Sequence, residues 1–375
     1  MRLFFIGSLL FVCLLASPRV DAVEQFAQPE LPGAPAFPLP DELDSPEPSE
    51  DQARLASAFP RFSAPWPVIA NERVEHFLRL FQAPGRREII GLWLNRSGRY
   101  LDMIREVFKK HGLPEELAYV AMVESGFNPA AVSRAGAKGL WQFMDQTARR
   151  YGLRIDRWVD ERLDPEKSTV AAALYLRDLF DRFGSWFLAT AAYNAGEMKV
   201  SLAGQRSRTD DFWTLIRGRI LPEETKRFVP AILAAMLIGQ DPERFGFQVT
   251  PEPVLAYDVV TAPPLLTLKY LAARGGFSLA DLQNLNLELR RGVTPPGEPY
   301  ALKVPAGSGG VAEMVLAETR TALVNGTLYV VKPGETLGWI AQRYGVSVAE
   351  LVRWNALPNA SRIFPGDWLR VGEAR

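Results

Sequence analysis

From Trp66 to about residue 250, apolar side chains recur at helical spacing between short Gly and Pro breaks. No alternating run suited to a strand occurs before about residue 253. Residues 97–111 place Tyr100, Ile104, Val107 and Phe108 on one stripe, carry Lys109, Lys110 and His111 in the last turn, and stop at Gly112. The next helix opens with Pro114-Glu115-Glu116, a proline in the first turn and acids at the positive end of the dipole. Further helices are expected over 168–183, ahead of Gly184, and from Ser185 to about Tyr193, ahead of Asn194-Ala195-Gly196. The pattern predicts a mainly α domain over 66–250.

One position breaks the apolar stripe. Leu117, Val120 and Ala121 mark the buried face of the helix after Pro114, and seven residues on from Leu117 that face reaches Glu124. A carboxyl group stands where a leucine would be expected, in the last turn before Ser125-Gly126, where the helix dipole disfavours negative charge. Desolvation acts in the same direction, so a raised pKa and a retained proton are expected, as a general acid requires. Spacing alone leaves open a helix-end residue that turns into solvent or pairs with an arginine.

After residue 250 the pattern changes. Residues 267–286 (TLKYLAARGGFSLADLQNLN) align without gaps to 336–355 (TLGWIAQRYGVSVAELVRWN), so two copies of one module are expected, over 251–306 and 327–372. In the second copy LYVV reads as a strand, Pro333-Gly334 as a turn and Thr336 as a helix start. Ser347 with Glu350 forms a capping box, and Pro365-Gly366 leads into a strand over 368–371. The order strand, helix, helix, strand makes each copy a small α+β (βααβ) unit. Trp339 and Trp354 sit at helical spacing and read as core.

The amino end belongs to neither pattern. Met1-Arg2, an apolar run and Val20-Asp21-Ala22 read as a cleavable export signal over 1–22, too short and too early for a spanning helix. Lipid attachment would need Cys13, but Phe-Val before it is a poor processing site. Membrane anchoring is therefore expected only with lipidation, and the mature chain is expected to be exported. Residues 23–65 repeat Pro among acidic and small residues, a composition that reads as a linker.

The 375 residues leave room for two or three folded units, and 47% hydrophobic with 23% charged residues is ordinary for a globular chain. Lys+Arg and Asp+Glu both total 43, which gives no electrostatic reason to bind nucleic acid. His76, His111 and Cys13 are too few for a Cys/His metal site, and each histidine lies in a charged helical pattern suited to a solvated face. Chemistry here must rest on carboxylates, hydroxyls and amides. Downstream of Glu124, Gln142, Tyr193, Asn194 and Ser133 offer neutral hydrogen bonds, and Trp141, Phe143 and Met144 offer flat apolar surface, a mixture suited to sugars. Each also has a plainer reading, Trp141 and Phe143 as core and Asn194 with Gly196 as a helix end.

The segments ESGF, GLWQFM and AYNAG, in that order within a helical domain, resemble the lysozyme-like domain of family 1 lytic transglycosylases, over roughly residues 70–240. The resemblance implies cleavage of peptidoglycan glycan strands between N-acetylmuramic acid and N-acetylglucosamine, with closure of a 1,6-anhydro ring. Glu124 would be the sole acid and base, Ser133, Gln142, Tyr193 and Asn194 would line the cleft, and Met144 would lie on its floor. It implies no cofactor and no metal and, for an exported chain, the periplasm as the compartment. In LPEETKRFVP, Phe228 stands where the family usually has a tyrosine facing the acid. A goose-type hydrolase and a glycan-binding scaffold with attenuated turnover remain alternatives. The second copy, with YVVKPGETL and FPGDWLRV, resembles a LysM module, whose glycan groove is formed by the loops after the first strand and before the last. That points to Gly334, Glu335 and Thr336 as glycan-binding residues. The first copy has Ala262-Pro263-Pro264 in place of PGET and is LysM-like only.

Overall fold

The computed structural model describes residues 66, 69 and 71–372, apart from 333, 356, 358, 360–362 and 365. The expected signal over 1–22, Cys13 and the linker over 23–65 lie outside the described residues. Among the described residues no helix is long and apolar enough to cross a membrane.

The helical body runs through α1 (Glu72–Gln82), α2 (Arg87–Ser97) and α3 (Leu101–Lys110) to a 3-10 turn, Glu115–Ala118, that feeds α4 (Tyr119–Ser125). It continues with α5 (Asp145–Arg150), α6 (Pro165–Phe183), α7 (Trp186–Ala195), α8 (Glu197–Ser207), α9 (Phe212–Leu215) and α10 (Glu223–Gln240). The expected stripe is correct, with Tyr100, Ile104 and Phe108 buried, but its helix starts at Leu101, because Ser97 ends α2 and residues 98–100 turn. The chain after Pro114 is 3-10 before it becomes α. Helix α6 starts three residues earlier than expected, since Asp164 accepts hydrogen bonds from the amides of Glu166 and Lys167, both at 2.9 Å, and Pro165 fits the first turn. His76 and His111 are half-buried rather than solvated.

Helix α10 is the axis of this body. Its side chains from Thr225 to Ile238 are buried, and it packs against α1, α4 and α7. Pro230 is tolerated within it. A continuous apolar core joins Ile104, Phe108, Leu117, Trp141, Leu176 and Val229. Site residues on α4 and α7 are thus both carried on helices that lean on α10.

Strand β1 (Tyr257–Ala262), α11 (Leu268–Gly275), α12 (Leu279–Leu285) and β2 (Tyr300–Pro305) form the first copy, with Tyr257 opposite Pro305 and Ala262 opposite Tyr300 in an antiparallel pair. After α13 (Gly309–Val324), β3 (Leu328–Val330), α14 (Leu337–Tyr344), α15 (Val348–Trp354) and β4 (Trp368–Arg370) repeat the plan, with Leu328 opposite Arg370. The repeat extends to single hydrogen bonds. Thr267 and Thr336 cap the first helices, Ser278 and Ser347 the second, and the Ser347–Glu350 capping box is present. Asn286 donates to the carbonyls of Leu282 and Lys303, both at 2.8 Å, and accepts from the Lys303 amide at 3.0 Å. Asn355 does the same with Leu351 and Arg370 at 2.8, 2.9 and 2.7 Å. Each asparagine closes its unit by tying the second helix to the last strand.

One element goes unread in the sequence, and one expectation fails. Helix α13 was not anticipated, although Ala312, Val315, Leu316 and Thr319 recur at helical spacing and are the residues it buries over β1 and α11. Trp339 is 45% exposed rather than core, because it lies on the outer face of α14, whereas Trp354 is half-buried and packs against the core of the second copy, as expected.

The asparagine bridges make a quantitative prediction. Asn286 is 1% exposed, so Asn286→Ala leaves a buried amide and carbonyl of Lys303 without their partner and should cost about 2–4 kcal/mol. Asn355 is half-buried and water can replace it, so Asn355→Ala should cost about half as much. Denaturant unfolding of the two variants checks the ranking.

Candidate active site

Glu124 sits in the last turn of α4, half-buried. The helix stops at Gly126, whose φ of 60° is left-handed and whose Cα lies against the Trp93 indole, so that a Cβ would come within 2.3 Å of it. Arg96 donates to the Gly126 carbonyl at 2.9 Å. The Ser125 hydroxyl, itself buried, bonds the carbonyls of Ala121 and Leu140 at 3.1 and 2.8 Å. The end of α4 is thereby joined to the loop that carries GLWQF.

That loop is a tight reversal. Lys138 and Phe143 exchange both backbone hydrogen bonds at 3.1 Å, and Gln142 has a φ of 48°. The Gln142 side-chain amide donates to the carbonyls of Gly139 and Ala131 at 2.8 and 3.3 Å. Trp141 and Phe143 are buried, so of their two readings core holds and sugar-facing surface does not. The Trp141 indole donates to the Thr169 hydroxyl at 2.9 Å, and its ring packs on Phe108. Met144, just past the loop, is 47% exposed. Ser133 precedes it, with its hydroxyl oxygen accepting from the Ala137 amide at 3.0 Å.

A buried ion pair holds the loop from behind. Arg162 clamps Asp160 through two bonds of 2.8 and 2.9 Å, and Lys138 reaches the same carboxylate at 3.0 Å. The Arg162 guanidinium also donates to the carbonyls of Gly136 and Phe143. Burial pushes the Asp160 carboxyl up, but the bonds from Arg162 and Lys138 outweigh it and hold the pKa below the usual range. The grip is therefore complete at neutral pH and is lost as pH falls through that lowered value.

Helix α7 supplies the opposite side. Tyr193 donates to the Trp141 carbonyl at 2.8 Å. Asn194 donates to Glu224 at 3.3 Å and accepts from Thr225 at 2.7 Å, which ties the end of α7 to the start of α10. The Glu124 carboxyl has no hydrogen-bond partner among the described residues. Burial, and then the charge of Glu224, push its pKa up to about 8. Burial, and then the charge of Glu124, push Tyr193 well above its ordinary value. The structure thus couples Glu124 to Tyr193 and Glu224, and joins Gln142 and Tyr193 through the one loop. Ser133 and Met144 flank that loop. Glu224 was missed in the sequence because an acid in the first turn of a helix is ordinarily explained by the dipole. Phe228 is buried on α10.

In the second copy Gly334, Glu335 and Thr336 occupy one turn after β3. Gly334 is exposed with a φ of 82°. The Glu335 carboxylate accepts from the Tyr329 hydroxyl at 2.7 Å and from the Lys332 amide at 2.8 Å, and the Thr336 hydroxyl accepts from the Trp339 amide at 3.2 Å. Those two side chains shape the turn.

Residues 103–216 match the family described as "Transglycosylase SLT domain", and residues 329–372 match "LysM domain". The first match contains Glu124, Ser133, Gln142, Met144, Tyr193 and Asn194, and ends before Glu224 and Phe228. The chain is 35% identical over 295 residues to "Membrane-bound lytic murein transglycosylase D" of Escherichia coli strain K12, covering 74% of this chain and 64% of that protein, a little under two thirds of its length. It is 45% identical over 86 residues to "Peptidoglycan transglycosylase gp16" of Escherichia phage T7, covering 22% of this chain and 6% of that one. Among solved structures, the 70 kDa soluble lytic transglycosylase SLT70 of Escherichia coli aligns at 26% identity over 40% of this chain and 25% of that chain, with a TM-score of 0.33.

A raised carboxyl pKa penalises the fold as pH climbs from the unfolded value toward about 8. Glu124→Gln removes that penalty. The variant should match the parent in thermal unfolding near pH 4 and exceed it by roughly 2 kcal/mol or more at pH 8.

Proposed function

We propose that this chain, whose helical body carries a transglycosylase SLT domain and whose second repeat is a LysM domain, cleaves peptidoglycan strands without consuming water. The bond is the β-1,4 link from N-acetylmuramic acid to N-acetylglucosamine, and Glu124 is the acid and base. The observation that carries this reading is a half-buried carboxyl at the end of α4 whose pKa of about 8 leaves it protonated at neutral pH.

Glu124 gives its proton to the bridging oxygen as the bond from the muramic C1 breaks, and N-acetylglucosamine leaves with that proton. Positive charge develops at C1, where the substrate's own N-acetyl oxygen stabilises it. The 6-hydroxyl then attacks C1 and returns a proton to Glu124, closing the 1,6-anhydro ring and regenerating the acid. No second carboxylate is needed to activate water, unlike the two-carboxylate scheme. In this reading Gln142, Tyr193, Asn194 and Ser133 line the glycan path, and Met144 offers it an apolar floor. The second copy holds the enzyme on the wall through the turn at Gly334, Glu335 and Thr336. The periplasm is the compartment where export would bring enzyme and wall together.

Hydrolysis is the second reading, favoured by Glu224, a carboxylate close enough to raise the Glu124 pKa and able to orient a water. Digestion of purified sacculi with mass spectrometry of the ends separates the two. Anhydro ends are expected, reducing ends would make the chain a hydrolase, and retention without release would make it a scaffold. Glu124→Gln should lower turnover by about 1,000-fold or more. Turnover should also fall as pH rises through about 8, where the acid loses its proton.

Phe228→Tyr adds a hydroxyl to the buried face of α10. If that hydroxyl reaches Glu124 as a donor it stabilises the carboxylate, so the alkaline limb of the pH profile should move below 8. An unmoved limb would show that the phenol does not meet the acid.

A further inference from the structure

The two copies share a fold but not their surroundings. In the first copy, residues 288–290 of the stretch between α12 and β2 are bonded to the helical body. The Asp160 amide donates to the Glu288 carbonyl at 2.9 Å, the Arg290 amide to the Trp158 carbonyl at 3.0 Å, and the Arg290 guanidinium to the Asp156 carbonyl at 2.8 Å. Leu289 bridges to Val159, whose side chain is buried in the apolar core of the first copy. From β2, Lys303 reaches Asp164 at 3.1 Å and Glu166 at 3.7 Å, with side-chain exposures of 9% and 3% for Lys303 and Asp164. The loop after β1 is covered from the other side. The Trp368 indole of the second copy donates to the Leu265 carbonyl and packs on Tyr270 at 5.5 Å. Both loops that form the groove in LysM modules are therefore engaged in part within the chain.

The residues gripped here are also those that hold the site. Asp160 binds the first copy through its amide, and through its carboxylate it binds Lys138 and Arg162, of which Arg162 holds the carbonyls of Gly136 and Phe143. Asp164 binds Lys303 and caps α6, whose Thr169 receives the Trp141 indole, while Tyr193 holds the Trp141 carbonyl. Two separate tethers thus run from the first copy to the 136–143 loop.

We propose that the first copy is a brace that positions the 136–143 loop for turnover at Glu124, with Lys303 as a positioning residue, and is not a second glycan-binding module. The inference rests on the proposed transglycosylase activity, and its test separates the two. In the full chain acting on soluble glycan strands, Lys303→Met should lower kcat about tenfold while KM and retention on sacculi stay unchanged. Amide exchange should quicken over 136–143 and not over 337–354, and Lys303→Arg should restore most of both. Tyr300→Phe, which removes only the 3.1 Å bond to Glu288, is the milder variant if Lys303→Met does not fold, and should give the same pattern at smaller size. Unchanged kcat with unchanged exchange overturns the brace, as does lost retention on sacculi with kcat intact. A parent chain without turnover overturns the proposed activity, and the exchange data then still decide the brace.

Discussion

A carboxyl group kept partly out of water beside a second carboxylate is costly to ionise, and the fold is arranged around bearing that cost at Glu124. Among the described residues no hydrogen-bond partner meets the carboxyl, so in the proposed reaction its proton is available to an arriving oxygen. Stability is lower than an apolar residue would give at this position, and under the proposed function reactivity is the counterpart of that loss. Glu224 adds to the effect from the first turn of α10, and Asn194 fixes where that carboxylate stands.

Keeping such a group in place requires rigid neighbours. Gly126 lets the end of α4 sit against Trp93, Ser125 ties it to Leu140, and the Asp160–Arg162–Lys138 cluster holds the loop that follows. Gly139 belongs to the same arrangement, since a Cβ there would lie 1.8 Å from the Arg162 carbonyl oxygen. The loop is therefore clamped at both faces, by α4 in front and by the buried ion pair behind. The first repeat continues this clamp outward, so the helical body and the second repeat meet through a built junction rather than a free linker.

Much of this was legible in the sequence where one local rule dominates. The stripe of Leu117, Val120 and Ala121 placed Glu124 at the end of a buried helix face, and the structure puts it there with the raised pKa that position dictates. The repeat over 267–286 and 336–355 was visible because the capping residues Thr267, Thr336, Ser278 and Ser347 do the same work in both copies. What escaped depends on long-range packing. Trp141 and Phe143 look like sugar platforms until Thr169 and the core claim them. Glu224 lies 100 residues from Glu124 in sequence, and nothing local marks their meeting. Helix α13 is different, since its spacing was plain and its apolar face is the one the structure buries.

The central claim is that Glu124 holds its proton at neutral pH, and that can be read directly. Isotope-edited infrared difference spectra of the parent against Glu124→Gln, recorded across pH 3–10, report the carboxyl and carboxylate bands of this one residue. The account predicts a transition near pH 8, with a protonated carboxyl band at pH 7. A transition at about 4.5, the ordinary value for a solvated glutamate, would contradict it.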